Sequence, residues 1–292
     1  MVISPPISII IPNLDCPLVG HAIEAVQAQT NGLNAEIVVV GRDRPGSVPR
    51  DGTVRFVESE TALSPAAARN LGVEKAGGKI LLFTDADCTP LPGWLECLIA
   101  AVERAPVAGG AVSFDLEANR WAVADNIASF HDLLADRVAE NDTAVPVGTL
   151  NLGLTRRAWE EVGRFDESLV TSEDFDWFLR ARASGLRVAF EPRALVEHAA
   201  VRSTRGELEG HAAWYGKHFP AFRRRHPGVF DNGPTWRRRW LFRAAAPFKA
   251  RLSAEAIFKR HPQLEDARFA FPGVVLFKRA WYRAVAAAWE EV

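Results

Sequence analysis

The feature that most constrains the fold of this chain is a largely apolar run that ends in two carboxylates one residue apart. Residues 79–84 read Lys-Ile-Leu-Leu-Phe-Thr, and Asp85-Ala86-Asp87 follows directly. Apolar runs of this length are typical of strands buried on both faces of a parallel sheet. Because ligands gather at the carboxyl ends of such strands, the two carboxylates are candidates for a divalent metal site, and an ordinary Asp-containing turn is the alternative.

The segment before this run predicts a helix. Ser64 is a favourable N-cap, Pro65 suits the first helical position, and an alanine-rich stretch follows up to Ala76. Gly77-Gly78 then ends the helix. The predicted order is therefore a helix that ends at two glycines, then a buried strand, then the Asp-x-Asp sequence. This is the order of an αβ unit with a ligand site at the end of its strand.

Two apolar runs near the amino terminus predict further strands. Residues 7–12 and 36–41 are rich in isoleucine and valine and lack the alternation of a half-exposed strand. Together with the helix and strand described above, they predict an α/β fold with a mostly parallel sheet covered by helices.

An acidic cluster lies in the second half of the chain. Glu173, Asp174 and Asp176 fall in the predicted first turn of a helix that runs to about Gly185. The helix dipole favours negative charge there, so an ordinary acidic helix start is one interpretation. Farther on, a predicted strand over residues 186–191 precedes His198 and brings its imidazole back toward the sheet.

Two groups of motifs, in this order, resemble the nucleotide-sugar site of family 2 glycosyltransferases with the GT-A fold. The resemblance covers about two thirds of the 292-residue chain and implies a Rossmann-like, mostly parallel sheet flanked by helices, with a helical C-terminal appendage. The first group is Arg69-Asn70-x-Gly72, Ala76-x-Gly78, Leu82-Phe83-x-Asp85-Ala86-Asp87 and Pro90-x-x-Gly93-Trp94-Leu95, and the second is Asn151–Arg157, Gly163–Glu167 and Ser172–Arg180.

The resemblance implies a reaction. A sugar would pass with inversion from a nucleoside-diphosphate sugar, UDP favoured, to a hydroxyl of a cell-envelope glycan or lipid-linked acceptor. Asp174 would be the general base, with the adjacent Glu173 as an alternative. Mn²⁺ or Mg²⁺ held by Asp85, Asp87 and His198 would neutralise the departing nucleoside diphosphate; a partly buried structural histidine is the alternative for His198.

The resemblance also implies contacts to donor and acceptor. The chain departs from the family pattern after the second strand, where Gly41-Arg42-Asp43-Arg44 replaces the usual acidic pair, and Asp43 is the substitute. The arginines beside it are candidates for phosphate contact or for a solvent-exposed loop. The implied acceptor contacts are Trp177 and Asn151, and the implied donor contacts are Pro12, Asn13, Asp43, Arg69, Asn70, Asp85 and Ala86.

The expected organisation is a GT-A catalytic domain over residues 1–200, followed by a basic, aromatic-rich helical region over 201–292. Within the catalytic domain, 1–114 would form the nucleotide-sugar half, 146–200 the acceptor half, and 115–145 a helical insertion between them. Acceptor selectivity is expected to reside in the insertion and the C-terminal region.

Charge is distributed unevenly along the chain. Residues 1–199 hold 17 basic and 28 acidic side chains, whereas residues 200–292 hold 18 and 8. Basic clusters at 223–225, 237–239 and 278–279 alternate with aromatic residues, so amphipathic segments could make peripheral contact with an anionic membrane. The alternative is that the aromatic residues pack on the catalytic domain and the arginines face solvent. Nothing in the sequence matches a nucleic-acid recognition module.

Targeting signals and cysteine usage give the expected location. No apolar stretch approaches the roughly 20 residues of a membrane span, and the amino terminus does not resemble a signal sequence. Cys16, Cys88 and Cys97 form neither a disulfide framework nor a zinc pattern. We therefore expect the protein in the cytoplasm or on the inner face of the membrane.

Two other functions share parts of this pattern. A sugar-phosphate nucleotidyltransferase would normally carry a glycine-rich basic loop after the first strand, and residues 11–15 (IPNLD) do not provide one. A noncatalytic nucleotide-sugar sensor or membrane scaffold would not need a base, so the intact Glu173-Asp174 pair argues against it.

Overall fold

The structure is a computed structural model that describes residues 7–136, 147–229 and 239–289. Its backbone divides into two compact units: unit 1 comprises Met1–Ser113 and Asp132–Ala199, and unit 2 comprises Phe114–His131 and Ala200–Val292. The segment expected as an insertion over 115–145 is thus shared between the units. Part of that segment, and part of the basic cluster at 237–239, lie outside the described residues.

Unit 1 is built on an eight-stranded mixed sheet. The strand order is β3-β2-β1-β4-β7-β6-β8-β5, in which β3, β2, β1 and β4 run parallel to one another. β7 is antiparallel to both β4 and β6, β8 is parallel to β6, and β5 is antiparallel to β8. The strands are β1 Ile7–Leu14, β2 Ala35–Arg42, β3 Arg55–Glu58, β4 Ile80–Thr84, β5 Cys88–Pro90, β6 Val107–Ser113, β7 Asn151–Thr155 and β8 Val188–His198.

Helices cover the sheet and form unit 2. In unit 1, the predicted cap of α2 is confirmed, because the Ser64 side chain accepts a hydrogen bond from the Ala67 backbone N–H. The helices of unit 1 are α1 Val19–Thr30, α2 Pro65–Lys75, α3 Trp94–Arg104, α5 Arg156–Val162 and α6 Glu173–Ala183, and those of unit 2 are α4 Arg120–Phe130, α7 Arg205–Arg225, α8 Arg239–Arg260 and α9 Phe271–Ala288.

The apolar runs become the central strands of unit 1 because both of their faces are covered. Ile9 of β1 lies opposite Ile37 of β2 on one side and opposite Leu82 of β4 on the other, and these three side chains are buried. Close approach of α2 to the sheet requires a glycine, since a Cβ at Gly72 would lie 2.5 Å from a methyl carbon of Ile10. The α/β fold predicted from the sequence is therefore confirmed.

An aromatic cluster anchors α5 and α6 to the sheet. The Phe165 ring lies edge-on to Phe83 of β4, and Trp159 stacks on Trp177 with ring centroids 6.3 Å apart. These side chains belong to one buried core under β4 and β7. Because α6 carries the acidic cluster, this packing fixes the position of that cluster relative to the sheet.

Unit 2 is helical, and a buried carboxylate links its two chain segments. Asp125 of α4 is 1% exposed; one oxygen lies 2.7 Å from His211 Nδ1 and the other accepts from Arg202 at 3.1 Å. Gly216 lets α7 approach α9 closely, since a Cβ there would lie 2.4 Å from the Trp281 carbonyl oxygen. Within the described ranges, no helix is both long and apolar enough to cross a bilayer.

Candidate functional site

The pairing of β5 with β8 brings a histidine to the Asp-x-Asp turn. β4 ends at Thr84, the turn follows, and Cys88 of β5 pairs with His198 at the end of β8. The backbone N–H of Ala199 also donates to the Asp87 carbonyl at 2.9 Å. As a result, His198 Nε2 lies 3.6 Å from Asp87 Oδ2, although the two residues are far apart in sequence.

Three side chains at this point form a group that fits a divalent cation. One possible ligand atom from each of Asp87, Cys88 and His198 lies within 4.8 Å of the other two. A carboxylate with an imidazole is a donor set that suits Mn²⁺. Burial, with the charge of Asp87 next, raises the pKa of the Cys88 thiol well above its usual range when no cation is bound.

Asp85 is held by a different partner. Its Oδ1 accepts a hydrogen bond of 2.6 Å from the Arg69 guanidinium, and it does not belong to the group around Asp87. The two carboxylates therefore have different surroundings, and metal ligation by both Asp85 and Asp87 stays a prediction. Of the two carboxylates, Asp87 is the one that lies beside the imidazole.

Arg69 joins the Asp-x-Asp turn to the acidic helix. One nitrogen donates to Asp85, and the other donates to Glu173 Oε1 at 2.7 Å. The Arg69 side chain is only 4% exposed. Burial would lower the pKa of this guanidinium, but the charges of Asp85 and Glu173 outweigh burial and raise it. A bidentate fork of this kind fixes both carboxylates in direction as well as in distance.

Asp174 lies next to this ion pair but is less enclosed than Glu173. Its Oδ1 accepts from the Phe175 backbone N–H at 2.8 Å, and its Oδ2 accepts a longer bond of 3.3 Å from the Thr149 N–H. Burial raises the pKa of Asp174 above its ordinary value, and the Arg69 charge opposes the rise. Burial and then the charge of Asp174 raise the pKa of Glu173 to about 7.

Two strained residues border the site. In the described part of the chain, the non-glycine residues with positive φ are Asp15, at 56°, and Ser172, at 63°. Asp15 follows β1 and is held by Arg42 at 2.6 Å, whereas Ser172 directly precedes Glu173. Such conformations persist only where the surroundings enforce them, and they concentrate at functional sites.

The residues expected to contact the nucleotide shape the loops at the strand ends. Asn13 donates to the Arg42 carbonyl and accepts from the Cys16 N–H, and both oxygens of Asp43 accept from backbone N–H groups of its own loop. Asn70 donates to the Phe165 carbonyl and to Glu167. These contacts fix the three side chains at the strand ends, and their contacts to a nucleotide stay a prediction.

Two smaller expected contacts lie at the same edge of the sheet. Pro12 is half-buried near the end of β1, and the Ala86 carbonyl accepts from the Cys16 thiol at 3.5 Å. The turn that carries Ala86 is thereby tied to the loop after β1. Both residues lie at the strand ends where the family resemblance implies that the donor binds.

The two residues expected to contact the acceptor are buried in the scaffold. Trp177 is 0% exposed, and its indole N–H donates to the Gly163 carbonyl. Asn151 is 1% exposed; it accepts from the Trp94 indole and donates to two backbone carbonyls, of Ala111 and Ala194. With their surfaces and hydrogen bonds used internally, neither side chain is placed to meet an acceptor, and that expectation is not supported.

Sequence reasoning missed two contributors to the site. Thr149 acts through its backbone N–H, which no residue pattern reveals. Cys88 enters the cluster because it pairs with His198 across two strands, and its position directly after Asp87 was the available signal. Likewise, the role of Arg69 as a link between two carboxylates depends on a contact across 104 residues.

Comparison with known proteins identifies the family. Residues 8–161 match the sequence model of Glycosyl transferase family 2, which is more than half of the chain. The chain belongs to this family, as the motifs predict.

Two curated relatives agree with this assignment. Glycosyltransferase AglE of Haloferax volcanii is 31% identical over 137 residues, which cover 46% of this chain and 44% of AglE. The pre-mycofactocin glycosyltransferase of Mycobacterium tuberculosis is 33% identical over 168 residues, covering 56% of this chain and 36% of the relative. The match therefore spans less than half the length of these two curated relatives.

A solved structure shares the fold. The mannosyltransferase PcManGT from Pyrobaculum calidifontis, determined in complex with GDP-Man and Mn²⁺, superposes with a TM-score of 0.62 at 17% identity, covering 99% of this chain and 88% of that one. The similarity confirms the predicted GT-A fold with C-terminal helices.

The Arg69 fork gives a first prediction, because a lysine keeps the charge but cannot donate to both carboxylates. We expect Arg69→Lys to lower the free energy of unfolding by about 2 kcal/mol in urea titrations. Arg164→Lys is the matched control: Arg164 also pairs with two carboxylates, Glu74 and Glu167, but its side chain is 53% exposed. The control should cost less than about 1 kcal/mol. Equal losses would contradict a special role for the buried fork.

Proposed function

We propose that this protein is a metal-dependent, inverting glycosyltransferase that moves a sugar from a nucleoside-diphosphate sugar to an acceptor hydroxyl. The observation that carries the proposal is the Arg69 fork, which holds the Asp-x-Asp turn and the start of α6 together. That link puts a candidate cation site and a candidate base at one edge of the sheet. Membership of family 2 supports transfer of a sugar as the reaction.

Asp174 is the proposed general base. Its partners are backbone N–H groups, one of them at 3.3 Å, whereas Glu173 is bound to the Arg69 guanidinium at 2.7 Å. A base must be able to accept a proton from the attacking hydroxyl, and a carboxylate committed to a buried ion pair is poorly suited to that task. Glu173 instead keeps Arg69 in place and sets the direction of the helix start.

Asp87 and His198 are the proposed cation ligands, with Mn²⁺ or Mg²⁺ as the ion. A bound divalent cation supplies positive charge that stabilises a departing diphosphate. The carboxylate and imidazole lie 3.6 Å apart where β5 begins and β8 ends. The Mn²⁺ in the PcManGT complex supports the choice of ion. Asp85 is assigned to orienting Arg69 and the turn.

The donor is proposed as a nucleoside-diphosphate hexose. The resemblance favours UDP, whereas the similar structure was solved with GDP-Man, so both bases belong in a test. The proposed acceptor is a hydroxyl of a cell-envelope glycan or of a lipid-linked sugar.

The direct test is calorimetric titration of UDP-, GDP- and dTDP-sugars with and without Mn²⁺. We expect one donor class to bind in a Mn²⁺-dependent manner and to lose at least about tenfold in affinity in Asp87→Ala. Asp136→Ala, a change outside the proposed cation site, is the control and should bind as the wild type does. Failure of all donors to bind the folded protein would overturn the proposal.

Asp174→Asn separates an enzyme from a noncatalytic sensor. The amide keeps the shape of the side chain but cannot take a proton, so we expect turnover to fall by about 10²- to 10⁴-fold while donor affinity is retained. Turnover can be followed as release of nucleoside diphosphate, with water as acceptor until the natural acceptor is known. Unchanged turnover in this variant would remove Asp174 as the base.

The raised pKa of Asp174 predicts the pH at which activity is lost on the acid side, or acid limb, of the pH–rate profile. A base works only when ionised, so kcat/KM should fall as the pH drops through the Asp174 pKa, at a pH above the ordinary value for aspartate. Because the Arg69 charge opposes the rise of this pKa, Arg69→Met should move the limb to still higher pH. Arg69→Lys, which keeps the charge, should move it less. A limb at the ordinary aspartate value would contradict the assignment.

A further inference from the structure

One face of α8 exposes large apolar side chains. Trp240, Phe248 and Leu252 are 64%, 67% and 46% exposed, and the exposed Ala244 lies between them in sequence. These four residues recur every four positions, so they line one side of the helix. We call this row the apolar stripe. Exposed aromatic residues that cluster on one face commonly mark an interaction surface.

Basic residues flank the apolar stripe. Arg243, Arg251 and Lys259 are exposed and recur at multiples of four positions, next to the stripe around the helix. Arg251 pairs with Glu255 at 2.9 Å, and Glu255 is the only acidic side chain in the whole of α8. The exposed face therefore combines apolar side chains with a net positive charge.

The opposite face of α8 is already used for packing within unit 2. The Phe242 ring lies 5.5 Å from that of Tyr282 in α9, and Ser253 shares a hydrogen bond with the Tyr282 hydroxyl. The buried residues of the helix are Phe242, Ala246, Ala250, Ala254, Ile257 and Phe258. One face of α8 is therefore buried within unit 2, and the face exposed to solvent carries both apolar and basic side chains.

We infer that the exposed face of α8 docks on the surface of an anionic membrane. Indole and phenyl rings enter the boundary between headgroups and acyl chains, while arginine and lysine pair with lipid phosphates. The helix would lie in the plane of the surface, since no described helix is suited to cross a bilayer. This contact would place the expected membrane association on α8, and it does not depend on the proposed reaction.

Charge complementarity favours an anionic membrane, rather than a second copy of the chain, as the partner that binds this face of α8. Two copies that met through this face would bring Arg243, Arg251 and Lys259 of each close to their counterparts, and like charges at close range repel. An anionic bilayer instead supplies the opposite charge. Each basic side chain near such a surface strengthens binding about fivefold.

Flotation with lipid vesicles tests this inference. The wild-type chain should bind vesicles of phosphatidylcholine mixed with phosphatidylglycerol, bind vesicles of phosphatidylcholine alone much more weakly, and release as salt is raised. We expect Phe248→Ser to weaken binding about tenfold and Arg243→Ala about fivefold. Circular dichroism and thermal melting confirm that each variant is folded.

A matched pair of leucines controls for general loss of apolar surface. Leu252 on the stripe is 46% exposed, and Leu33 in unit 1 is 44% exposed. Leu252→Ser should weaken vesicle binding, whereas Leu33→Ser should leave it unchanged. Equal binding to both vesicle types, or equal effects of the two leucine variants, would overturn the inference. So would self-association of the wild-type chain that Phe248→Ser abolishes, which would make the face a contact between copies.

Discussion

A buried guanidinium between two carboxylates is the interaction on which the candidate site depends. Arg69 bonds Asp85, 16 residues away, and Glu173, 104 residues away, at distances of 2.6 and 2.7 Å. Removing either partner would leave charge in a poorly solvated place, which is far more costly than losing an exposed ion pair. The fork therefore ties the two halves of unit 1 together: the strand end that carries Asp87 and the helix that carries Asp174 cannot shift independently.

Local features of unit 1 follow from the sequence because their cause is local. The apolar runs become central strands, Ser64 caps α2, and the acidic residues occupy the first turn of α6. Burial on both sheet faces and the needs of a helix end act within a few residues, so a pattern can show them. The pairing of His198 with Cys88, which brings the imidazole next to Asp87, joins distant segments and appears only in three dimensions.

The roles of individual side chains are harder to predict than the positions of helices and strands, because a role also depends on contacts between distant segments. Trp177 and Asn151 lie within family motifs, yet the structure uses both as internal supports with every polar group bonded inside the protein. A sequence motif shows which residue type occupies a position, but it does not show whether the side chain points into the protein core or into the ligand site. Similarly, α4 lies between β6 and β7 in sequence but belongs to unit 2, where Asp125 binds His211 and Arg202.

The left-handed backbone at Ser172 has a consequence for how the protein can vary. A serine in this conformation stores roughly 1–2 kcal/mol of strain that a glycine would release. Glycine would stabilise the fold there, but it would also let the chain sample other bends directly before Glu173 and Asp174. Serine at position 172 thus lowers the stability of the fold but keeps the orientation of the Glu173 and Asp174 carboxylates fixed. Selection for heat resistance alone and selection for turnover should favour different residues at this single site.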